Sequence, residues 1–153
     1  MENEKKLLVS AIRNGTVIDH IPAEYLFTVI NILNLDKINS PMTFGTNLES
    51  KKLGKKAVIK ISNTYFEDRD LNKIALITTE AKLNIIKDFK VSEKREIKVP
   101  NSTVKGIAKC VNPKCITNHE DIQTKFTVIN SKEIALRCDY CEKITDKKHL
   151  MII

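Results

Sequence analysis

With 153 residues the chain has room for one domain or two small ones, and its net charge of +7 suggests anionic partners, although lysines that merely solvate the surface give the same balance. Aromatic residues make up only 5%, with no Trp, which weakens any reading in which bases stack on an exposed aromatic platform. There is no glycine-rich phosphate loop, no internal repeat, and no apolar stretch long enough to cross a bilayer.

The elements follow in order. Leu7–Ile12 reads as a first strand, because the run is almost wholly apolar. Asn14-Gly15 is a turn signal, and Val17-Ile18-Asp19-His20 extends the chain again. Pro22 suits the first turn of a helix, where its missing N–H costs nothing. Leu26, Val29, Ile30 and Leu33 recur at helical spacing to about Leu35, and Tyr25, Phe27 and Ile32 widen the apolar surface, which predicts a well-covered helix. Met42–Leu48 reads as extended, Ser50–Lys56 as a basic turn around Gly54, and Ala57–Ile61 as a short strand with Lys60 inside it. Glu67–Ile77 predicts a second helix with Leu71, Ile74 and Ala75 inward. Leu83–Ile86 and Phe89–Val91 supply a final strand region. The order β-α-β-β-α-β predicts an α+β module over residues 1–100: a ferredoxin-like antiparallel sheet with two helices on one face.

Pro100-Asn101-Ser102 marks a hinge to a second module over 101–153. Thr103–Ala108 reads as a strand, and Phe126–Ile129 with Ile134–Leu136 as a hairpin turning at Asn130-Ser131-Lys132. About fifty residues cannot bury a secure core unaided, so a small all-β, zinc-ribbon-like domain stapled by metal is expected.

Four cysteines supply that staple: Cys110-x4-Cys115 and Cys138-x2-Cys141, with twenty-two residues between the pairs. Two close pairs on two turns can converge four thiolates on one tetrahedral ion, the geometry zinc prefers in structural sites. Such a site has no open position for an activated water, so one structural Zn2+ per chain is expected. Disulfides are the alternative in a secreted protein, but Met1–Lys6 carries mixed charge and leads into only a short apolar run, unlike a secretory signal. A reducing cytoplasm is therefore expected. Cys138-Asp139-Tyr140-Cys141 alone would read as a redox motif; the company of Cys110 and Cys115 favours metal. His119 is a substitute ligand that four cysteines make unnecessary.

In the first module Asp19 and His20 are adjacent, and on an extended segment they point to opposite faces, which argues against a hydrogen-bonded catalytic dyad. An Asp, a His and a Lys still suit a pocket for a phosphorylated ligand, because a lysine ammonium is a mobile donor for phosphate oxygens. Lys60 and Lys94 are the candidates, with Lys56 adding to the field, though each taken alone reads more readily as a solvated surface lysine. Asn84 reads as a contact to a base or ribose edge, or as a turn cap.

Arg13-Asn14-Gly15-Thr16-Val17-Ile18-Asp19-His20-Ile21-Pro22-Ala23, followed by the four-cysteine tail, closely resembles the regulatory chain of aspartate carbamoyltransferase. The specific signature is Gly15–Pro22. Supporting matches are Gly45-x-Asn47-Leu48, Gly54-x-Lys56-x-x-Ile59-Lys60-Ile61, Asn84-x-Ile86, Val91, Lys94 and Ile134-Ala135-Leu136-x-Cys138-x-Tyr140-Cys141-Glu142-Lys143, so the resemblance runs essentially the whole length.

The resemblance implies a non-catalytic, allosteric subunit of an enzyme of pyrimidine biosynthesis. Its first module would bind CTP, UTP and ATP. Val9, Ser10, Ala11, Ile12 and Val17 would flank base and ribose, Asp19 would hold the ribose hydroxyls, and Lys60 would contact ribose or base. Asn84, Ile86 and Val91 would complete the pocket, His20 and Lys94 would face the triphosphate, and Lys6 would lie near the phosphates or a second nucleotide. The zinc module would dock on the catalytic chain near Asn112 and Glu142. Regulatory chains would pair through their first modules and bridge catalytic trimers; neither nucleic acid nor membrane is an implied partner. Three positions depart from the family pattern: Ser10 stands where a carboxylate is frequent, Phe89 where a tyrosine is, and Lys114 where an asparagine is.

Two rival classes follow from composition. A zinc-ribbon protein that binds nucleic acid is favoured by the basic balance and opposed by the scarce aromatics. An enzyme using Asp19, His20 or a cysteine pair lacks any nucleophile-base-orienter set.

Overall fold

The computed structural model describes residues 9–153. Leu7, Leu8 and Lys6 lie outside the described residues. Val9–Ile12, expected to continue a strand, form none. The reason is topological. The first strand among the described residues is β1 (Gly15–Pro22), and it is already paired on both sides, by β3 (Gly54–Ser62) and by β4 (Lys82–Lys87). Segment 9–12 finds no free edge beside it.

Between β1 and β3 come a 3-10 turn (Ala23–Tyr25), helix α1 (Leu26–Ile32) and strand β2 (Met42–Ser50). Pro22 sits at the N-cap of that 3-10 turn, one residue before the position expected. Helix α2 (Asp68–Ala75) connects β3 to β4, and β5 (Lys90–Glu96) closes a hairpin with β4. The sheet order is β2-β3-β1-β4-β5, with every pairing antiparallel. The expected β-α-β-β-α-β order is thus present, with β5 added at one edge.

One face of the sheet makes the core. Ile18 and Ile21 from β1, Ala57, Ile59 and Ile61 from β3, and Leu83 from β4 are fully buried with Leu26, Val29 and Ile74 of the helices. Leu71, Ile74 and Ala75 point inward as expected. A capping box between Glu67 and Asp70 starts α2, and the neighbouring Asp68 pairs with Arg95. Helix α1 is less covered than its composition predicts, since Phe27 is 67% exposed and meets Phe44 of β2 edge to face at 6.1 Å.

Ile18 and Ile21 are three apart, which strict alternation would send to opposite faces. A β-bulge resolves the mismatch: His20 adopts φ 57, and the register against β3 shifts between Ile18 and Ile21. Gly15 is the other special position. A Cβ there would lie 2.0 Å from the Ile61 carbonyl oxygen, so only glycine lets β1 start against β3.

The second module holds a four-stranded antiparallel sheet, β10-β9-β8-β6, from β6 (Thr103–Lys105), β8 (Lys125–Asn130), β9 (Ala135–Cys138) and β10 (Ile144–Asp146). A two-stranded ladder joins β7 (Ala108–Lys109) to β11 (Met151–Ile152). The strand expected over Thr103–Ala108 breaks into β6 and β7 at Gly106, where φ is 66. Ile134 belongs to the hairpin turn and not to the strand, with φ 46, while Asn130 caps that turn by accepting from the Lys132 and Glu133 N–H groups.

The modules touch beyond the 100–102 connection. Val99, Val104 and Ile107 join the same buried cluster as the first module's core. Arg69 of α2 donates to the Gly106 carbonyl at 2.6 Å, and Lys147 Nζ lies 5.5 Å from the centre of the Tyr25 ring. Among the described residues no helix is long and apolar enough to cross a membrane.

Candidate functional site

The four cysteines come together. The Cys110 and Cys115 pair sits after β7 and the Cys138 and Cys141 pair at the end of β9, and all four Sγ atoms lie within 4.8 Å of one another. The Cys110 and Cys141 sulfurs stand 3.5 Å apart and those of Cys115 and Cys138 3.7 Å, and no disulfide forms. Four thiolates at tetrahedral metal–sulfur distances of about 2.3 Å would stand about 3.8 Å apart. The donor set therefore fits one thiophilic divalent ion.

Both turns are built to hold sulfur inward. Cys115 N donates to the Asn112 carbonyl at 3.0 Å, and Glu142 N to the Cys138 carbonyl at 2.8 Å, with Glu142 left-handed at φ 64. Burial pushes the Cys110 thiol up to about 12 and raises Cys138 as well. Burial also raises Cys141, but the Asn112 side chain, the Lys143 backbone and the neighbouring sulfurs outweigh it and hold this thiol at about 7. An ion entering here must displace protons, most readily from Cys141. Two supports escaped the sequence reading: Thr117 Oγ1, 3.2 Å from Cys115 Sγ, and the Asn118 amide, which bonds the Cys110 and Asn112 carbonyls at 3.0 and 2.7 Å. His119 is exposed and stands outside the cysteine cluster.

The second candidate lies on the sheet face that carries no helix. Strand register puts Lys60 opposite Val17, Val17 opposite Asn84, and Asn84 opposite Lys94. These four residues thus form one row across β3, β1, β4 and β5, about 14 Å long at ordinary strand spacing. Asp19 stands in the next row, opposite Lys82. Ile86 and Val91 pair at the hairpin end, the first buried and the second 49% exposed.

Val9 is drawn to this face: its carbonyl accepts from Lys60 Nζ at 2.9 Å, and its side chain fills the space that Gly45 leaves open. Ser10 and Ala11 are exposed and Ile12 half-buried. Burial lowers the Lys60 pKa, opposed by the charge of Asp19. Asp19 accepts an ion pair from Lys56 at 3.1 Å.

The bulge overturns one expectation. Asp19 and His20 do not point to opposite faces: His20 N donates to Asp19 Oδ1 at 2.6 Å, and His20 Nδ1 lies 3.6 Å from Asp19 Oδ2. The left-handed residue turns the His20 ring back beside the carboxylate. His20 Nδ1 is buried with no hydrogen-bond partner among the described residues. Lys82 went unnoticed in the sequence, because only register reveals that it faces Asp19. Chemically, the face offers ammonium groups at both ends, an amide between them and a carboxylate beside them. That set complements an extended ligand with anionic oxygens, a polar ring and free hydroxyls.

Two family models match the chain: aspartate carbamoyltransferase regulatory chain, allosteric domain, over residues 7–98, and the metal binding domain of the same chain over residues 102–151. Curated relatives of that name agree along the length. The protein from Bacteroides fragilis is 48% identical over 152 residues, 99% of each chain. That from Porphyromonas gingivalis is 51% identical over 140 residues, 92% of each. That from Pyrococcus abyssi is 44% identical over 148 residues, 95% of this chain and 97% of the relative.

Proposed function

We propose a function from one premise: this chain belongs to the aspartate carbamoyltransferase regulatory-chain family, with an allosteric domain and a metal-binding domain, and is itself non-catalytic. The first module, residues 1–100, binds the nucleotide effectors CTP, UTP and ATP. The second, residues 101–153, holds one Zn2+ through Cys110, Cys115, Cys138 and Cys141 and docks on a catalytic chain. In this reading the assembly works in the cytoplasm, in pyrimidine biosynthesis.

The observation that carries the effector assignment is the row Lys60–Val17–Asn84–Lys94 beside Asp19 on the helix-free sheet face. Asp19 accepts from the ribose hydroxyls, Lys60 contacts ribose or base, and Asn84 reads a base edge. His20 and Lys94 receive the triphosphate. Val9, Ser10, Ala11, Ile12, Ile86 and Val91 wall the base.

Zinc is favoured over other ions by four sulfur donors in a closed, half-to-fully buried cluster. For docking on catalytic chains, the exposed side chains Ile116, Tyr140 and Ile144 lie within four residues of Asn112 or Glu142 in the sequence. Pairing of two regulatory chains through their first modules is supported by the outer edge of β2, which pairs with no strand among the described residues, and by the exposed Phe27–Phe44 pair. With one module gripping each neighbour, paired chains bridge catalytic trimers. An effector shifts such an assembly only by its difference in affinity between two states, typically about 1–3 kcal/mol.

Calorimetric titration of the zinc-loaded chain with CTP, UTP and ATP tests the effector site. Saturable binding to one face, weakened by both Lys60→Ala and Lys94→Ala, is expected. Absence of binding by all three nucleotides overturns it.

A further inference from the structure

A different cavity lies where the two modules meet. It measures about 480 Å3 and is walled by the Tyr25 ring ahead of α1, by Leu76 and Ile77 after α2, and by Leu150 from the C-terminal tail. That volume falls in the range of small-molecule sites, roughly 300–1,000 Å3. Its walls are mainly apolar, and Leu76 is fully buried behind them.

Its charged groups are of one sign. Lys147 and Lys148 line the cavity beside the neutral hydroxyl residue Thr28, and no carboxylate does. Among the described residues neither lysine has an ion-pair partner; Lys147 instead lies over the Tyr25 ring. A cation parked on an aromatic face beside a desolvated apolar wall is poised to exchange that contact for an anion.

We propose that this inter-module cavity is a second ligand site, which takes a small amphipathic anion: a planar aromatic body bearing one carboxylate. The aromatic body covers Leu76, Ile77, Leu150 and the Tyr25 ring, and the carboxylate reaches Lys147 and Lys148. The site shares none of its lining with the sheet face argued to hold nucleotides, so it neither requires nor competes for that face. Because its walls come from both modules, an occupant bears on the contact between them.

The zinc-loaded full chain is titrated by calorimetry with 1-naphthoate and, as an uncharged control, 1-naphthylmethanol. One naphthoate per chain is expected, with the alcohol at least about tenfold weaker. Lys147→Glu with Lys148→Glu should cut naphthoate affinity at least about tenfold, and Ile77→Trp, which fills the cavity, should abolish it. CTP binding, measured in the same variants, should be unchanged. Equal binding of acid and alcohol, no saturable binding, or loss of naphthoate in Lys60→Ala or on adding CTP overturns the proposal. Loss of CTP binding in the parent chain instead overturns the effector reading and leaves this one standing.

Discussion

The two modules solve the same problem of stability in opposite ways. In the first, five strands and two helices share a broad apolar core, and no single group dominates. In the second, strands of two to six residues surround four sulfurs, and the buried apolar side chains are few. Distributed stability leaves one sheet face of the first module free to carry charge. Concentrated stability makes the second module dependent on its ion, because too little surface is buried to replace it.

The most severe test of that contrast is Cys115→Ala. Structural zinc contributes an apparent folding energy of about 10–16 kcal/mol. The variant should lose its metal, and the second module its protection from hydrogen exchange, while the first still binds CTP. A variant that retains one metal per chain, read by atomic absorption, would contradict it.

Next comes pH, where the raised thiols of the metal-free form should add a loss of stability toward alkali to its loss toward acid. In the metal-free chain Cys110 has its pKa raised by burial from the ordinary 9.0 to about 12, and Cys138 is raised likewise. A raised thiol stabilises the fold below its unfolded value, so this contribution is lost as pH climbs from 9 toward 12. Cys141, held at about 7, acts the other way, its contribution fading as pH falls from 9 through 7. With metal bound, protons compete for all four sulfurs, and stability falls on acidification. Thermal melts of both forms across pH 5–11 check the sign.

In the first module, Ile59→Ala removes a fully buried side chain and should cost about 2–5 kcal/mol by denaturant melt, without releasing metal. Smaller is Lys60→Ala, expected to weaken CTP about 10–100-fold, the value of a lost charged hydrogen bond, with little change in melting temperature. Smallest is Arg13→Ala. Its ion pair with Asp88 is exposed on both sides, and less than about 0.5 kcal/mol should change.

Much of this was readable in the residues, and the failures share a cause. The cysteine spacing announced the metal centre because its ligands pair locally. Both helices follow from apolar period, though α1 ends at Ile32 and not near Leu35, and β2 to β4 follow from extended runs. Misread were the features that depend on what lies alongside. Val9–Ile12 continue an apolar run that suits a strand, yet β3 and β4 occupy both edges of β1. Ile18 and Ile21 did carry the signal of a bulge, since a spacing of three cannot keep one face without an inserted residue. Reading it would have brought Asp19 and His20 together. Lys82 and the contacts of Arg69 and Lys147 across the modules needed register and docking, which no local pattern encodes.

The position of β1 also bears on how the polypeptide is made. Among the described residues it is the first strand synthesised, yet its partners end at Ser62 and Lys87. At ordinary translation speeds the ribosome takes on the order of ten seconds to deliver the second of them. Through that interval the isoleucine side of β1 has no lasting cover, and a nascent chain stalled before β4 should be a preferred client for chaperones.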